Sequence, residues 1–232
     1  MEEALEIAKN TGILRISDIS IKNRIIIPSN VRYVYWNSVI GPFPEIPTSV
    51  THLNCANSFI GELPQLHDRL FYLDCSYSGI SKLPKLPSNL RYLDCSSSGI
   101  SKLPKLPFNL LSLYCGDNAI SLLPELPKTL LTLFCRNTLI TYLPELPPTM
   151  EIIDVSESPC LAYLSLASPK TVFRFNNTPL ISLEKIMDEA PAACFERMAQ
   201  WLEKESGNRM KKRASIIKEE LVEKIWIDGS TA

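Results

Sequence analysis

The sequence predicts an α/β solenoid: short parallel strands stacked into one sheet, extended connections returning along the opposite side, and a helical element at the C-terminal end. Three observations predict it. Cys55, Cys75, Cys95, Cys115 and Cys135 recur every twenty residues with apolar residues in fixed columns around them, the mark of a repeat whose units bury a core only by stacking. The phrase L-x-x-L-x-C, clearest in Leu90-Arg91-Tyr92-Leu93-Asp94-Cys95, alternates apolar and polar, so its middle is a strand with Leu and Cys on the buried face. The regular units then carry L-P-x-L-P or a close variant of it, where the prolines remove amide donors and hold φ near about −65°, so that segment runs extended on the convex side. A twenty-residue period leaves no room for a strand and a full helix. The expected form is thin and strongly curved.

Residues 1–30 are expected to form an N-terminal cap over the first core layer. It opens with a short helix to about residue 12, with Leu5 and Ala8 as a weak apolar face and Gly12 as C-cap. Residues 13–27 are β-rich and loosely periodic. The solenoid proper spans 31–183 in about eight units. The first, 31–49, is one residue short and puts Trp36 in the cysteine column. Five regular units begin at Val50, Leu70, Leu90, Leu110 and Leu130. A seventh, from Met150, substitutes Ile153, Val155 and Leu164 for consensus residues, and Phe173, Phe175, Leu180 and Leu183 mark an eighth. Residues 184–232 form the C-terminal helical cap or tail. Phe195, Met198, Ala199 and Leu202 share one helix face after Pro191, and Ala214, Ile217, Leu221 and Ile225 share another after Gly207. Both a cap and a separate module fit; the cap is favoured because two short helices bury little core alone.

Composition narrows the function classes. With 24 basic and 25 acidic residues the net charge is −1, so no whole-chain field draws it to nucleic acid or to an anionic membrane. The apolar runs are too short to span a bilayer, and the acidic start MEEALEIAKN is unlike a secretion signal. An intracellular, cytoplasmic, unprocessed chain is expected. The cysteine column is read as reduced core thiols, Cys serving as a small buried hydrophobe. An occasional disulfide and a metal are the alternatives, although no C-x-x-C pair is present. Cys160 and Cys194 stand outside the column. No cofactor, metal, catalytic residue or small-molecule substrate is expected.

The phrasing Leu123-Pro124-Glu125-Leu126-Pro127 and Leu143-Pro144-Glu145-Leu146-Pro147-Pro148 resembles the short, twenty-residue class of leucine-rich repeats found in effector proteins of Gram-negative pathogens. The resemblance covers about 31–183 and implies that fold and a protein-binding role. Some members carry a C-terminal ubiquitin-ligase domain with a catalytic cysteine. Ala192-Ala193-Cys194-Phe195 lacks the Cys-x-Asp arrangement of those ligases, so the activity is not carried over. The tail 216–226, IIKEELVEKIW, is similar to helical tails of large-DNA-virus proteins. A bacterial and a viral source both fit.

The residues flanking each strand leucine face out of the concave side. One column reads His52, Tyr72, Tyr92, Ser112, Thr132 and Ile152; the other reads Asn54, Asp74, Asp94, Tyr114, Phe134, Asp154 and Arg174. Tyr72, Tyr92, Asp74, Asp94, Tyr114, Phe134, His52 and Asn54 are the candidate contacts to a protein partner, because aromatics on a rigid scaffold make strong anchors. The competing account is that strand tyrosines are there for β-propensity alone. Asp74 and Asp94 are expected to lie about 5–6 Å apart across adjacent strands, solvated and open to a basic partner. The column Ser58, Ser78, Ser98, Asn118 and Thr138 is expected to bond the backbone between units. Lys82, Lys85, Lys102 and Lys105, then Glu125 and Glu145, read as a solvated convex face. An alternative role is structural: assembly of a particle through the solenoid and C-terminal helices.

Overall fold

The structure, a computed structural model, describes residues 2–21, 25–158, 161, 171–174, 176 and 178. A boundary falls after Pro179, and the second unit, Leu180–Ala232, lies outside the described residues. So do the two expected C-terminal helices, Leu164, Phe175, Cys160 and Cys194.

Among the described residues one helix, α1 (Glu2–Thr11), precedes nine strands: β1 (Ile13–Ser17), β2 (Tyr33–Asn37), β3 (His52–Asn54), β4 (Tyr72–Asp74), β5 (Tyr92–Asp94), β6 (Ser112–Tyr114), β7 (Thr132–Phe134), β8 (Ile152–Asp154) and β9 (Val172–Arg174). All nine form a single parallel sheet in strict sequence order. Each strand therefore pairs only with its sequence neighbours, the one-dimensional arrangement of a repeat protein. Register follows the repeat: Leu53 pairs with Leu73, Leu73 with Leu93, Leu93 with Leu113, and Leu113 with Leu133. These leucines are fully buried, each stabilising the fold by about 1.5–3 kcal/mol. The L-P-x-L-P segments carry no helix or strand, and both leucines of each, as in Leu103 and Leu106, face the core. A turn closes every unit, for example from the Leu90 amide to the Pro87 carbonyl at 3.2 Å.

The sheet begins earlier than the sequence pattern announces. α1 ends at the expected cap, with Gly12 at φ 72° donating to the Ala8 carbonyl at 2.9 Å. The next segment is a full sheet member, with Leu14 opposite Val34 and Ile16 opposite Trp36. Ile16 thus occupies the cysteine column one unit before Trp36. Because no L-P-x-L-P follows it, the segment reads as irregular although its twenty-residue spacing is intact.

The cysteine column is a stack of free, fully buried thiols. Cys55 Sγ donates to the Asp74 carbonyl and Cys75 Sγ to the Asp94 carbonyl, each at 3.4 Å. Burial pushes these thiols up, Cys115 to about 12. At neutral pH they are protonated and poor nucleophiles. Beside them the polar column bonds as expected. Ser58 Oγ donates to the Trp36 carbonyl at 2.6 Å, Ser98 Oγ to the Cys75 carbonyl at 2.8 Å, and Thr138 Oγ1 to the Cys135 carbonyl at 2.8 Å. Asn118 bonds most extensively. Its Nδ2 reaches the carbonyls of Cys95, Cys115 and Gly116 at 2.9, 3.1 and 3.1 Å, while Oδ1 accepts from the Ser98 and Ile100 amides at 3.2 and 2.9 Å.

Eight non-glycine residues among those described adopt positive φ, from Asp18 through Tyr77 to Glu157. Most occupy the second place after the cysteine column, where the chain turns out of its strand. Among the described residues no helix is long and apolar enough to cross a membrane.

Candidate functional site

Alternation puts one residue on either side of each buried strand leucine onto the solvent face of the sheet, and parallel register lines those residues up. On one column Tyr33, His52, Tyr72 and Tyr92 are successive partners; on the other Asp94 pairs with Tyr114 and Tyr114 with Phe134. The rings form one continuous row across six strands. Tyr33 stacks on His52 with centroids 4.7 Å apart, His52 on Tyr72 at 6.0 Å, and Tyr72 on Tyr92 at 4.4 Å with planes 6° apart. The row then crosses diagonally, Tyr92 to Tyr114 at 5.3 Å and 37°, and ends with Tyr114 on Phe134 at 4.8 Å and 10°. Each such pair contributes about 0.5–1.5 kcal/mol beyond its burial.

The five expected ring positions, His52, Tyr72, Tyr92, Tyr114 and Phe134, therefore meet, and they are joined by a sixth, Tyr33, which sequence reasoning omitted. The signal for Tyr33 was available: it stands one unit before His52 in the same column, obscured by the nineteen-residue spacing between them. The rings are half-buried, Tyr33 more exposed, because neighbours cover their faces. What meets solvent is ring edges and phenol hydroxyls. Burial raises the Tyr72 and Tyr92 hydroxyls, with Asp74 and Asp94 respectively adding to it, and burial lowers His52. His52 is neutral at pH 7, and its Nδ1 lies 2.8 Å from Thr51 Oγ1.

Asp74 and Asp94 are half-buried rather than freely solvated as expected, and Asn54 is half-buried too; each of the three holds the turn that follows its strand. Asn54 Oδ1 accepts from the Ala56 amide at 3.1 Å, Asp74 Oδ1 from the Ser76 amide at 3.1 Å, and Asp94 Oδ1 from the Ser96 amide at 2.9 Å. Asp154 repeats the arrangement with Ser156 at 3.0 Å. This two-residue reach is the ordinary habit of Asn and Asp at turns. A ladder also runs along the column, Asn37 Nδ2 to Asn54 Oδ1 at 2.9 Å and Asn54 Nδ2 to Asp74 Oδ2 at 3.0 Å. Among the described residues no group of three His, Cys, Asp or Glu is placed to hold a metal ion.

Burial, more than the Asp74 charge, holds the Asp94 carboxyl above its ordinary value, against the pull of its bonds to Ser96. Ionisation is therefore harder in the folded chain than in the unfolded one. The folded state keeps the proton longer, so stability falls as pH rises from the ordinary carboxylate value, about 3.9, through the raised folded value. Asp94→Asn, which keeps an acceptor for the Ser96 amide, is expected to raise the melting temperature by a few degrees at pH 7. The gain should vanish below about pH 3.5, where both states of the parent are protonated. Melting curves across pH check it; a loss of stability at pH 7 would contradict it.

No family model matches the sequence, and no curated protein matches it. Solved structures do. The leucine-rich effector protein YopM from Yersinia pestis superposes with a TM-score of 0.69 at 26% identity, covering 76% of this chain and 52% of that one. YopM from Yersinia enterocolitica WA-314 superposes at 0.58 with 26% identity, covering 71% of this chain and 42% of that one. The fold is that of the leucine-rich-repeat proteins. The chain spans about half the length of the two YopM chains. The functional domain of InlJ from Listeria monocytogenes, described as including a cysteine ladder, shares the fold at a TM-score of 0.60 and 21% identity, over 72% of this chain and 44% of that one. The similar structures are leucine-rich-repeat proteins of bacteria, effectors among them.

Proposed function

We propose that this chain is a non-enzymatic scaffold that binds a protein partner through the solvent face of its sheet, centred on Tyr72, Tyr92, Tyr114 and Phe134. The observation that carries the proposal is the unbroken row of six rings across β2 to β7. Rings held by their neighbours lose little freedom on binding, which favours tight association. The similarity to bacterial effector proteins supports a role inside a pathogen's host, with host cytoplasm as its setting; a viral origin rests on the tail 216–226 alone. Nucleic acid fits the face poorly, since Asp74 and Asp94 repel phosphate. The structural alternative and the truncated-ligase alternative draw on residues 184–232, outside the described residues.

Tyr92→Ala with Tyr114→Ala breaks the row at its centre. Capture of a protein partner from the native cell should be abolished. Thermal stability should fall modestly, because the rings support each other. Tyr72→Phe, Tyr92→Phe and Tyr114→Phe together keep the stack and delete the exposed hydroxyls. This triple variant should melt near the parent and still bind at least about tenfold more weakly. Full capture by both variants would remove the face from consideration.

A further inference from the structure

From Tyr33 on β2 to Phe134 on β7, the outward strand positions carry two carboxylates, Asp74 and Asp94, and no lysine or arginine; beyond that stretch Asp154 of β8 is buried and is paired in register with Arg174 of β9. The chain as a whole is balanced, with 24 basic and 25 acidic residues. The separation of charge is thus local to this face. Two cations near its rims have partners of their own: the Arg91 guanidinium lies 5.8 Å over the Phe71 ring, and Arg136 lies 3.4 Å from Glu157. Asp74 and Asp94 are direct register partners on adjacent strands, so like charges face each other where water is partly excluded. A fold that keeps such a pair on a binding face is complementary to a cation brought by something else.

The rings narrow the class further. Tyr72 and Tyr92 lie 6° from parallel at 4.4 Å, and Tyr114 and Phe134 10° from parallel at 4.8 Å. Their inner faces are covered, so a sugar or a nucleobase finds no free platform between them. Phenol oxygens and carboxylates remain, all able to accept hydrogen bonds. The face also contains one instance of guanidinium recognition, since Arg15 of β1 rests 4.4 Å over the Tyr35 ring.

We propose that the partner presents an extended, arginine-bearing segment, with one guanidinium seated between Asp74 and Asp94 and against the hydroxyl edges of Tyr92 and Tyr114. This rests on the reading of the sheet face as the partner-binding surface and specifies what that surface takes. Arginine is preferred to lysine because its planar fork donates to two acceptors at once, and the two carboxylates stand on neighbouring strands. Neutralising the pair relieves their mutual repulsion and the burial of Asp94. The face should therefore be more stable and less able to bind when the charges are deleted.

The test uses a fluorescein-labelled peptide of alternating glycine and arginine, read by fluorescence anisotropy with the full chain. Parallel probes replace every arginine by lysine, by citrulline or by glutamate, and a single-stranded oligonucleotide is included. The parent protein should bind the arginine peptide with an affinity that falls as salt rises. Binding should weaken at least about tenfold for the citrulline peptide, for the same peptide with Asp74→Asn/Asp94→Asn, and less for lysine. Asn at both positions can continue the side-chain ladder from Asn54, and a melt at least as high as the parent's shows that lost binding is not lost folding. The proposal is overturned if the parent does not bind the arginine peptide, or if the double variant binds it equally well. Preference for the glutamate peptide or the oligonucleotide overturns it too. A cellular partner lost with the Tyr92 and Tyr114 variants but kept by the double asparagine variant would leave the face in use and reject the cationic occupant.

Discussion

Asn118→Ala should lower the unfolding free energy by about 3 kcal/mol or more, read from urea denaturation with an unchanged dependence on denaturant. Asn118 is 7% exposed, and its amide serves five backbone groups across two units. Alanine leaves the Ser98 and Ile100 amides and the Cys95 and Cys115 carbonyls without this partner in a site too tight for bulk water. A buried backbone group without its partner costs about 1–3 kcal/mol. Several at once outweigh the few tenths that a propensity change in a loop would bring. Asn118→Ser should recover part of the loss, since Ser78 and Ser98 in the same column both donate to the backbone carbonyl of Cys75. A loss under about 1 kcal/mol for the alanine variant would show that the turn tolerates an empty rung.

Gly41→Ala should cost as much, for a different reason. Gly41 lies in the nineteen-residue unit, where the chain cuts the corner between Val39 and Phe43. Its φ is 137°, open to glycine and rarely adopted by other residues. An added methyl would collide with the Ile21 carbonyl oxygen, a backbone atom with no rotamer by which to move aside. The expected penalty is about 3 kcal/mol. Gly99→Ala is the comparison: its φ is 81°, but an added methyl there meets nothing within 4 Å. It should lose only the about 1–2 kcal/mol of a left-handed backbone. Equal losses for the two would mean that backbone conformation, not the close approach, accounts for Gly41.

The solenoid was legible because its cause is periodic. Leucine, cysteine and proline recur where the core and the extended return need them, and the strands and their register follow that spacing. Tyr33 and the sheet membership of β1 are hidden in the sequence because the spacing slips by one residue at 31–49 and the proline phrase is missing before it, although the buried residues Leu14 and Ile16 keep their places. At the candidate face, sequence columns correctly brought the aromatics together, since strand register is all that is required. They did not reveal that the rings cover one another's faces, which depends on rotamers. Nor did they reveal that Asn54, Asp74 and Asp94 hold the following turn, an interaction set by the turn that the backbone takes two residues later.

The ring row has an optical consequence. Phenols with centroids 4.4–5.3 Å apart are close enough for their electronic transitions to couple, and the sheet holds them in a fixed chiral order. The protein should therefore carry its own near-ultraviolet dichroism signal, concentrated on the surface proposed to meet a partner. Anything that docks there changes the angle or the surroundings of at least one ring, and the whole row responds. Occupancy becomes readable without a dye, a tag or knowledge of what has bound.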